Sequence, residues 1–184
     1  MRESRRSTQQ NLAGQLLLAH PAMHDPNFRR TVVLMSAHSD DGAMGVVLNR
    51  PVGKHLGQFN GQFALGALSN VPVFRGGPVQ TEQLLLAAWQ FRPDGFKLYF
   101  GLEPEKAEQL RADEGMELRA FLGYSGWTKG QLENELRHKT WVVAPVPGDL
   151  LQYPQDVGLW RTVLGGMSAD WKVLAGEPDD PEAN

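Results

Sequence analysis

The sequence predicts a single α/β domain in which a mixed β-sheet carries flanking helices. Three observations lead there. The first half is a string of short apolar runs bounded by turn residues, the pattern of strands. The second half alternates strand-like runs with helix-like segments, and no linker, repeat or low-complexity stretch divides the two. At 184 residues, 41% hydrophobic and 21% charged, the chain has ordinary single-domain proportions and needs neither disulfides nor a structural metal to hold a core. The domain is expected over residues 12–175. The polar stretch 1–11 and the acidic, proline-broken stretch 176–184 read as flexible tails.

Each element has its own warrant. Leu12 to Ala19 and Thr31 to Ala37 are apolar runs suited to buried strands. Ser39-Asp40-Asp41-Gly42 makes a turn, with Ala43 to Asn49 as the return strand of a hairpin. Pro51 is expected to end that strand and to hold Arg50 extended. Val71 to Arg75, Leu84 to Trp89 and Phe96 to Gly101 are further strands, although Thr81-Glu82-Gln83 would also suit a helix start. Pro104 at a first turn, then Glu105 to Ala112, reads as an exposed helix of strong helix formers, and Glu117 to Leu122 as a strand. Thr128 and Gln131 fit a capping box, and Trp127 and Leu132 flank it at the spacing of a hydrophobic staple, opening a helix to about Lys139. Trp141 to Val146 follows as a strand. Trp160, Val163 and Leu164 mark the inner face of a last helix that ends at Gly165-Gly166.

Bulk chemistry narrows the function. A formal charge of −3 and a pI near 5.9 leave no electrostatic footprint for nucleic acid, and no basic stripe or helix-turn-helix is legible. With no cysteine, disulfides, thiolate metal sites and thiol nucleophiles are excluded. The N-terminal arginines have no apolar stretch behind them, so a secretory signal is not expected, and the longest apolar run, Leu84 to Trp89, is too short for a membrane helix. The cytoplasm, without membrane contact, is the expected location.

Several segments in order carry a resemblance. Gly14-Gln15-Leu16-Leu17-Leu18-Ala19, Pro21 and Asp25-Pro26-Asn27-Phe28 open it. Ala37-His38, then Gly42-Ala43-Met44-Gly45-Val46-Val47-Leu48-Asn49-Arg50-Pro51 and Gly76-Gly77-Pro78-Val79 continue it. Phe121-Leu122-Gly123-Tyr124-Ser125-Gly126-Trp127, Gly130-Gln131-Leu132-Glu133 and Glu135-Leu136, followed by Trp141 and Trp160, complete it. Over roughly residues 12–165 the chain resembles the AlgH/YqgE family. The resemblance implies a bacterial, stand-alone α/β fold with a mixed sheet, in a family that has been named a transcriptional regulator after a link to alginate production. Redox roles tied to cysteines in some relatives do not transfer to a chain without them.

Four constellations carry possible chemistry. Gly123-Tyr124-Ser125-Gly126-Trp127 lies where a hydrolase elbow would, but the elbow needs a small fifth residue and Trp127 stands there. The family pattern also accepts alanine at the serine position, so Ser125 reads as part of a structural turn. His20, His24, Asp25 and His38 could converge on a metal, yet only Asp25 and His38 match the resemblance, and two ligands make a poor site. The plainer reading has Asp25 capping a turn and His38 bonding a backbone group. Asn49-Arg50-Pro51 and Gly76-Gly77 both follow strands, where α/β sheets commonly bind ligands. Arg50 beside bare glycine amides could cradle a phosphate or carboxylate, or else pair with an acidic neighbour while the glycines turn the chain. Tyr124 and Glu135 complete the set, with Glu135 also placed to pair with Lys139 at i+4.

The expectation is therefore a binding or regulatory module for a small anionic ligand or a protein partner. The candidate ligand-binding residues are Asp25, His38, Asn49, Arg50, Gly76, Gly77, Tyr124 and Glu135, with no catalytic residue, metal, cofactor or direct nucleic-acid contact expected. The alternatives are a hydrolase or metal-dependent enzyme using Asp25 and His38, and a transcriptional regulator acting indirectly.

Overall fold

The computed structural model describes residues 10–178; the stretches 1–9 and 179–184, which hold most of both expected tails, lie outside the described residues. In chain order the strands are β1 (Leu16–Ala19), β2 (Val32–Ser39), β3 (Gly42–Val47), β4 (Pro51–His55), β5 (Pro72–Arg75), β6 (Val79–Arg92), β7 (Gly95–Phe100), β8 (Glu117–Thr128) and β9 (Trp141–Ala144). The α-helices are α1 (Leu56–Phe59), α2 (Pro104–Arg111), α3 (Gln131–Arg137), α4 (Val157–Gly165) and α5 (Ala169–Gly176). The strands form one curled mixed sheet ordered β4-β5-β8-β3-β2-β1-β9, with β6 against β8 and β7 against β6. The fold class is the predicted one.

The apolar runs explain the centre of the sheet. β1 lies between β2 and β9 and all four of its residues are buried, so both faces must be covered. Leu16 and Leu18 face a cluster with Val32, Leu34, Val46 and the α4 residues Leu159, Trp160 and Leu164. Leu17 and Ala19 face the opposite cluster with Val33, Met35, Trp127, Leu132 and Trp141. This is the period-two pattern of a strand, and each such side chain is worth about 1.5–3 kcal/mol on full burial. A third cluster, under α1 and α2, joins Leu56, Val73, Ala107, Leu110 and Leu118.

The twelve residues of β8 serve two ladders. Their first half pairs parallel to β5 (Val73↔Ala120 to Arg75↔Leu122) and antiparallel to β6. The last four residues pair antiparallel to β3, from Gly45↔Ser125 to Gly42↔Thr128. Gly76 sits at the changeover. Its N–H donates to Leu122 O at 2.8 Å, and its carbonyl accepts from Val47 N–H at 2.9 Å and Ser125 Oγ at 3.1 Å. A Cβ on Gly76 would lie 2.3 Å from Gly123 O, and one on Gly77 2.2 Å from Tyr124 O, so both positions require glycine.

Four details differ from the sequence reading. The strand expected from Leu12 begins only at Leu16, because Gly14 turns at φ 79°, although Leu12 is buried all the same. Pro51, expected to end a strand, instead opens β4 against Phe74 at the sheet edge, where a residue without an N–H is tolerated. Half of the capping box forms: Gln131 Oε1 accepts the Thr128 N–H at 3.0 Å, but Thr128 still belongs to β8 and the helix starts after Gly130 at φ 75°. Trp127 and Leu132 do pack in one cluster, as a staple requires. Finally, Gly165-Gly166 ends α4 but not the helical region, since Ser168 Oγ accepts from Trp171 N–H and starts α5.

Candidate functional site

Loop 20–31, between β1 and β2, is where three of the eight candidate residues meet. The Asp25 carboxylate accepts the Asn27 N–H at 2.8 Å, and its carbonyl accepts the N–H groups of Phe28 and Arg29, so it caps the turn as the plainer reading held. Asn49, buried, crosses to the loop's end: its Oδ1 accepts from Val32 N–H at 2.9 Å and its Nδ2 donates to Arg30 O at 2.9 Å and to Asp156 O at 3.2 Å. The guanidinium of Arg50 donates to Pro26 O and Arg29 O, both at 3.1 Å. Burial depresses the Arg50 guanidinium most, the nearby Arg29 charge depresses it further, and Asp25 works the other way. Three of the eight candidates thus brace one loop.

What that loop presents is a cavity of about 270 Å³ lined by His20, His24, Arg29 and Arg30 from the loop and by Leu174, Glu177 and Pro178 from the far end of the chain. His20 Nδ1 accepts the Ala22 N–H at 3.0 Å, which leaves the proton on Nε2, and the ring meets Trp171 of α5 edge-on at 5.5 Å. Arg30 adopts φ 53°, a left-handed conformation rarely taken by a side-chain-bearing residue. The Asn49 and Arg50 bonds on either side hold it there, and its guanidinium lies 5.4 Å over the Trp160 ring while donating to Glu177 O at 2.7 Å. Two arginines, two histidines and one glutamate contribute to the lining of this hollow.

The other candidates are placed elsewhere. His38 is buried under the N-terminal segment: Nδ1 accepts the Leu12 N–H at 3.1 Å, so Nε2 carries the proton and donates to Glu133 Oε1 at 2.8 Å. Asp25 and His38 therefore hold different partners and are not bonded to each other. Among the described residues no group of three or more histidines and carboxylates could hold a metal. Gly76 and Gly77 are given over to the β8 junction, with the Gly76 amide already donated to Leu122 O. Ser125 is fully buried within β8 and its hydroxyl donates to Gly76 O, so the chain forms no nucleophile elbow there. Glu135, expected to pair with Lys139, instead accepts both indole N–H groups of Trp127 and Trp141 on Oε2, at 2.8 and 2.7 Å, and the Gln131 amide on Oε1. Tyr124 lines an open groove with Ala37, Met44, Val79 and Gly126 on the sheet.

Two features escaped the sequence reading. Arg29-Arg30 is a basic pair directly before a buried strand, and that adjacency was the available signal. Arg119 is buried in β8 with its guanidinium 4.4 Å over Phe74 and 5.0 Å over Trp89, held by Glu117, Leu48 O and Gln155. Burial lowers its pKa, and Glu117 opposes that shift. An arginine in the middle of a strand pattern gives no hint of two aromatic faces around it.

Fold and site together define a single-domain α/β protein built on one curled mixed sheet, with a cationic hollow braced at one of its loops. A family model described as AlgH-like matches residues 16–172. A UPF0301 protein of Streptomyces coelicolor is 39% identical over 186 residues, covering 95% of this chain and 96% of the relative. One from Cytophaga hutchinsonii is 33% identical, covering 93% and 98%. The chain belongs to the AlgH-like family. The solution structure of the AlgH protein from Pseudomonas aeruginosa superposes with a TM-score of 0.65 at 26% identity, covering 98% of this chain and all of that one. A crystal structure of a Corynebacterium diphtheriae protein, at 20% identity and TM-score 0.69 over 92% of this chain and 94% of that one, shares the fold. Among the described residues no helix is long and apolar enough to cross a membrane.

Proposed function

We propose that the protein is a binding module for a small anion, phosphate or carboxylate, held in the hollow between loop 20–31 and the end of α5. The observation that carries this reading is the convergence of Arg29, Arg30, His20 and His24 on one cavity with a single carboxylate residue in its lining. Guanidinium groups suit forked bonding to carboxylate and phosphate oxygens, and the cavity has room for a small anion. Asp25, Asn49 and Arg50 act as positioning residues: they fix the loop that presents the cations and are themselves committed to backbone groups. The regulatory role suggested by the family's name would then run through occupancy of this hollow rather than through direct contact with nucleic acid.

The test is a titration with inorganic phosphate and with short dicarboxylates, followed by thermal shift and by amide NMR, on the parent chain and on Arg29→Ala combined with Arg30→Gly. Glycine suits the left-handed backbone at position 30 and offsets part of the lost Trp160 and Glu177 contacts. The double variant should therefore lose no more than about 2 kcal/mol of stability, and binding is compared at a temperature where both proteins are folded. Loss of charge-assisted bonds of about 1.5–3 kcal/mol should weaken binding roughly tenfold to a hundredfold. Binding that survives removal of both arginines, or no saturable binding by any of these anions, rules the hollow out.

A further inference from the structure

The segment that leads into β1 is fastened to the sheet through a titratable ring. Leu12 is buried in the cluster that holds Trp127 and Leu132, and its N–H donates to Nδ1 of His38 at 3.1 Å. From there the chain reaches β1 through backbone bonds. Gln15 N–H donates to Leu12 O, Gly14 N–H to Met35 O, and Met35 N–H to Gln15 O. His38 is itself buried in β2, and its other ring nitrogen donates to Glu133 Oε1 of α3 at 2.8 Å. The ring that makes both bonds is neutral, with its one proton on Nε2 and the Nδ1 lone pair turned to Leu12. Gln10 and Asn11, just ahead of Leu12, line a cavity of about 250 Å³ with His38, Ser39 and Asp40.

A second proton on this ring has one place to go. It binds Nδ1, and the nitrogen that accepted the Leu12 N–H becomes a donor facing a donor. The Glu133 side meets no such conflict. Nε2–H donates to the carboxylate in both states, and that bond strengthens once the ring is charged. Among the described residues, the charged groups around the ring are Glu133, Arg137 behind it on α3, and Asp40 on the β2–β3 turn. Residues 10–15 and β3 bring none. We propose that His38 is a proton-operated latch: the neutral ring holds Leu12, and the imidazolium keeps Glu133 and releases residues 10–13. Gly14 and Gln15 stay tied to Met35, so β1 keeps its register. Histidine is the side chain whose charge changes near physiological pH, which makes mild acid the trigger. Release uncovers the His38–Glu133 pair, so a surface closed in the neutral state presents a charged pair in the acid one. The latch shares no residue with the lining of the hollow at loop 20–31.

The test follows the His38 ring and the Leu12 amide by NMR in one full-length sample as the pH is lowered from about 8 to about 5. The expected result is a Leu12 amide shift that tracks the His38 ring with a common midpoint. Leu12 exchange protection, corrected for the intrinsic rate, should fall roughly tenfold or more across that midpoint, while the Gly14 amide on Met35 O keeps its own. His38→Asn leaves an acceptor near the Nδ1 position and has no proton to take, so its Leu12 protection should not change with pH. Glu133→Gln leaves an acceptor for Nε2–H but removes the charge that stabilises the imidazolium, so release should move to lower pH. Leu12 protection that stays constant while His38 titrates overturns the latch. So does a ring that stays neutral down to the acid unfolding of the chain, and so does release in His38→Asn at the parent's midpoint. The parent titration decides the matter alone if His38→Asn does not fold.

Discussion

On the α3 side of the sheet Glu135 holds the indoles of Trp127 and Trp141 and the Gln131 amide, while Glu133 holds His38, whose other ring nitrogen is taken by Leu12. Loop 20–31 contains just as many polar groups, but they divide into two sets. Asp25, with Asn49 and Arg50 from beyond β3, is spent on backbone groups. His20, His24, Arg29 and Arg30 face a cavity. The first region closes polar chemistry on itself, and the second uses one polar set to aim another outward. A polar side chain whose bonding capacity is consumed inside the fold specifies structure. One whose partners sit at the rim of an open volume can exchange them for a ligand. The comparison assigns the AlgH-like sequence pattern largely to framework and moves the proposed binding surface to residues beside it.

Substitutions on the closed side should therefore be costly to stability, and the largest effect belongs to the β8 junction. Gly77→Ala places a Cβ within 2.2 Å of Tyr124 O at a φ of 153°, with backbone rather than a movable side chain in the way. The expected loss is on the order of 4 kcal/mol or more, read as failure to fold or as a large drop in the urea midpoint. A loss below about 1 kcal/mol would mean the β5–β8 crossing is looser than its hydrogen bonds indicate, and that the glycine pair could be freed for a ligand after all.

Glu135 gives the next effect. Its replacement by alanine strands two indole N–H donors in a largely buried cluster, an expected loss of about 2–4 kcal/mol, with tryptophan fluorescence reporting the exposure. Glu135→Gln keeps an acceptor and should recover at least half of that loss. Equal losses in the two variants would show that the charge, not the acceptor, holds the indoles. Phe28 of loop 20–31 packs on both indoles. Phosphate binding at the hollow should therefore stay unchanged in Glu135→Gln, where the rings keep their acceptor, and weaken in Glu135→Ala if the loop shifts with them.

The strands of the core were legible because burial on both faces demands unbroken apolar runs, and Leu16 to Ala19 and Val32 to Met35 supply them. The Thr128–Gln131 pair was half legible: the local spacing was right, but the β3 ladder claimed Thr128 before the helix could. α5 was missed because Gly165-Gly166 looks like a terminus, and only a folded chain shows Ser168 restarting the helix against the loop. The hollow was the least legible feature. Arg30 and Glu177 lie 147 positions apart, and no local pattern links them. Asp25, Asn49 and Arg50 stood out in the sequence, but spacing alone does not say whether an arginine faces a carbonyl or a cavity.

The smallest effect tests whether the closed region is closed electrostatically as well as sterically. Burial pushes the Glu133 carboxyl up, but the His38 hydrogen bond, its own backbone N–H and the charges of His38 and Arg137 together outweigh burial and hold it below its ordinary value of 4.5. A carboxylate depressed in the folded state contributes stability that is fully present above the unfolded value and is lost as pH falls through the folded one. The contribution should accordingly hold at neutral pH and fade below about pH 4.5. Glu133 is only half-buried, so solvent screening limits the contribution to under about 1 kcal/mol. Glu133→Gln should cost that much at pH 7 and progressively less as the pH falls below 4.5, seen as converging urea midpoints for the two proteins as the solution is acidified. A cost that persists undiminished at pH 3 would show that the bond between α3 and β2 depends on shape and the His38 donor alone. The α3 region would then owe its closure to packing, and charge would be left as the distinguishing property of loop 20–31.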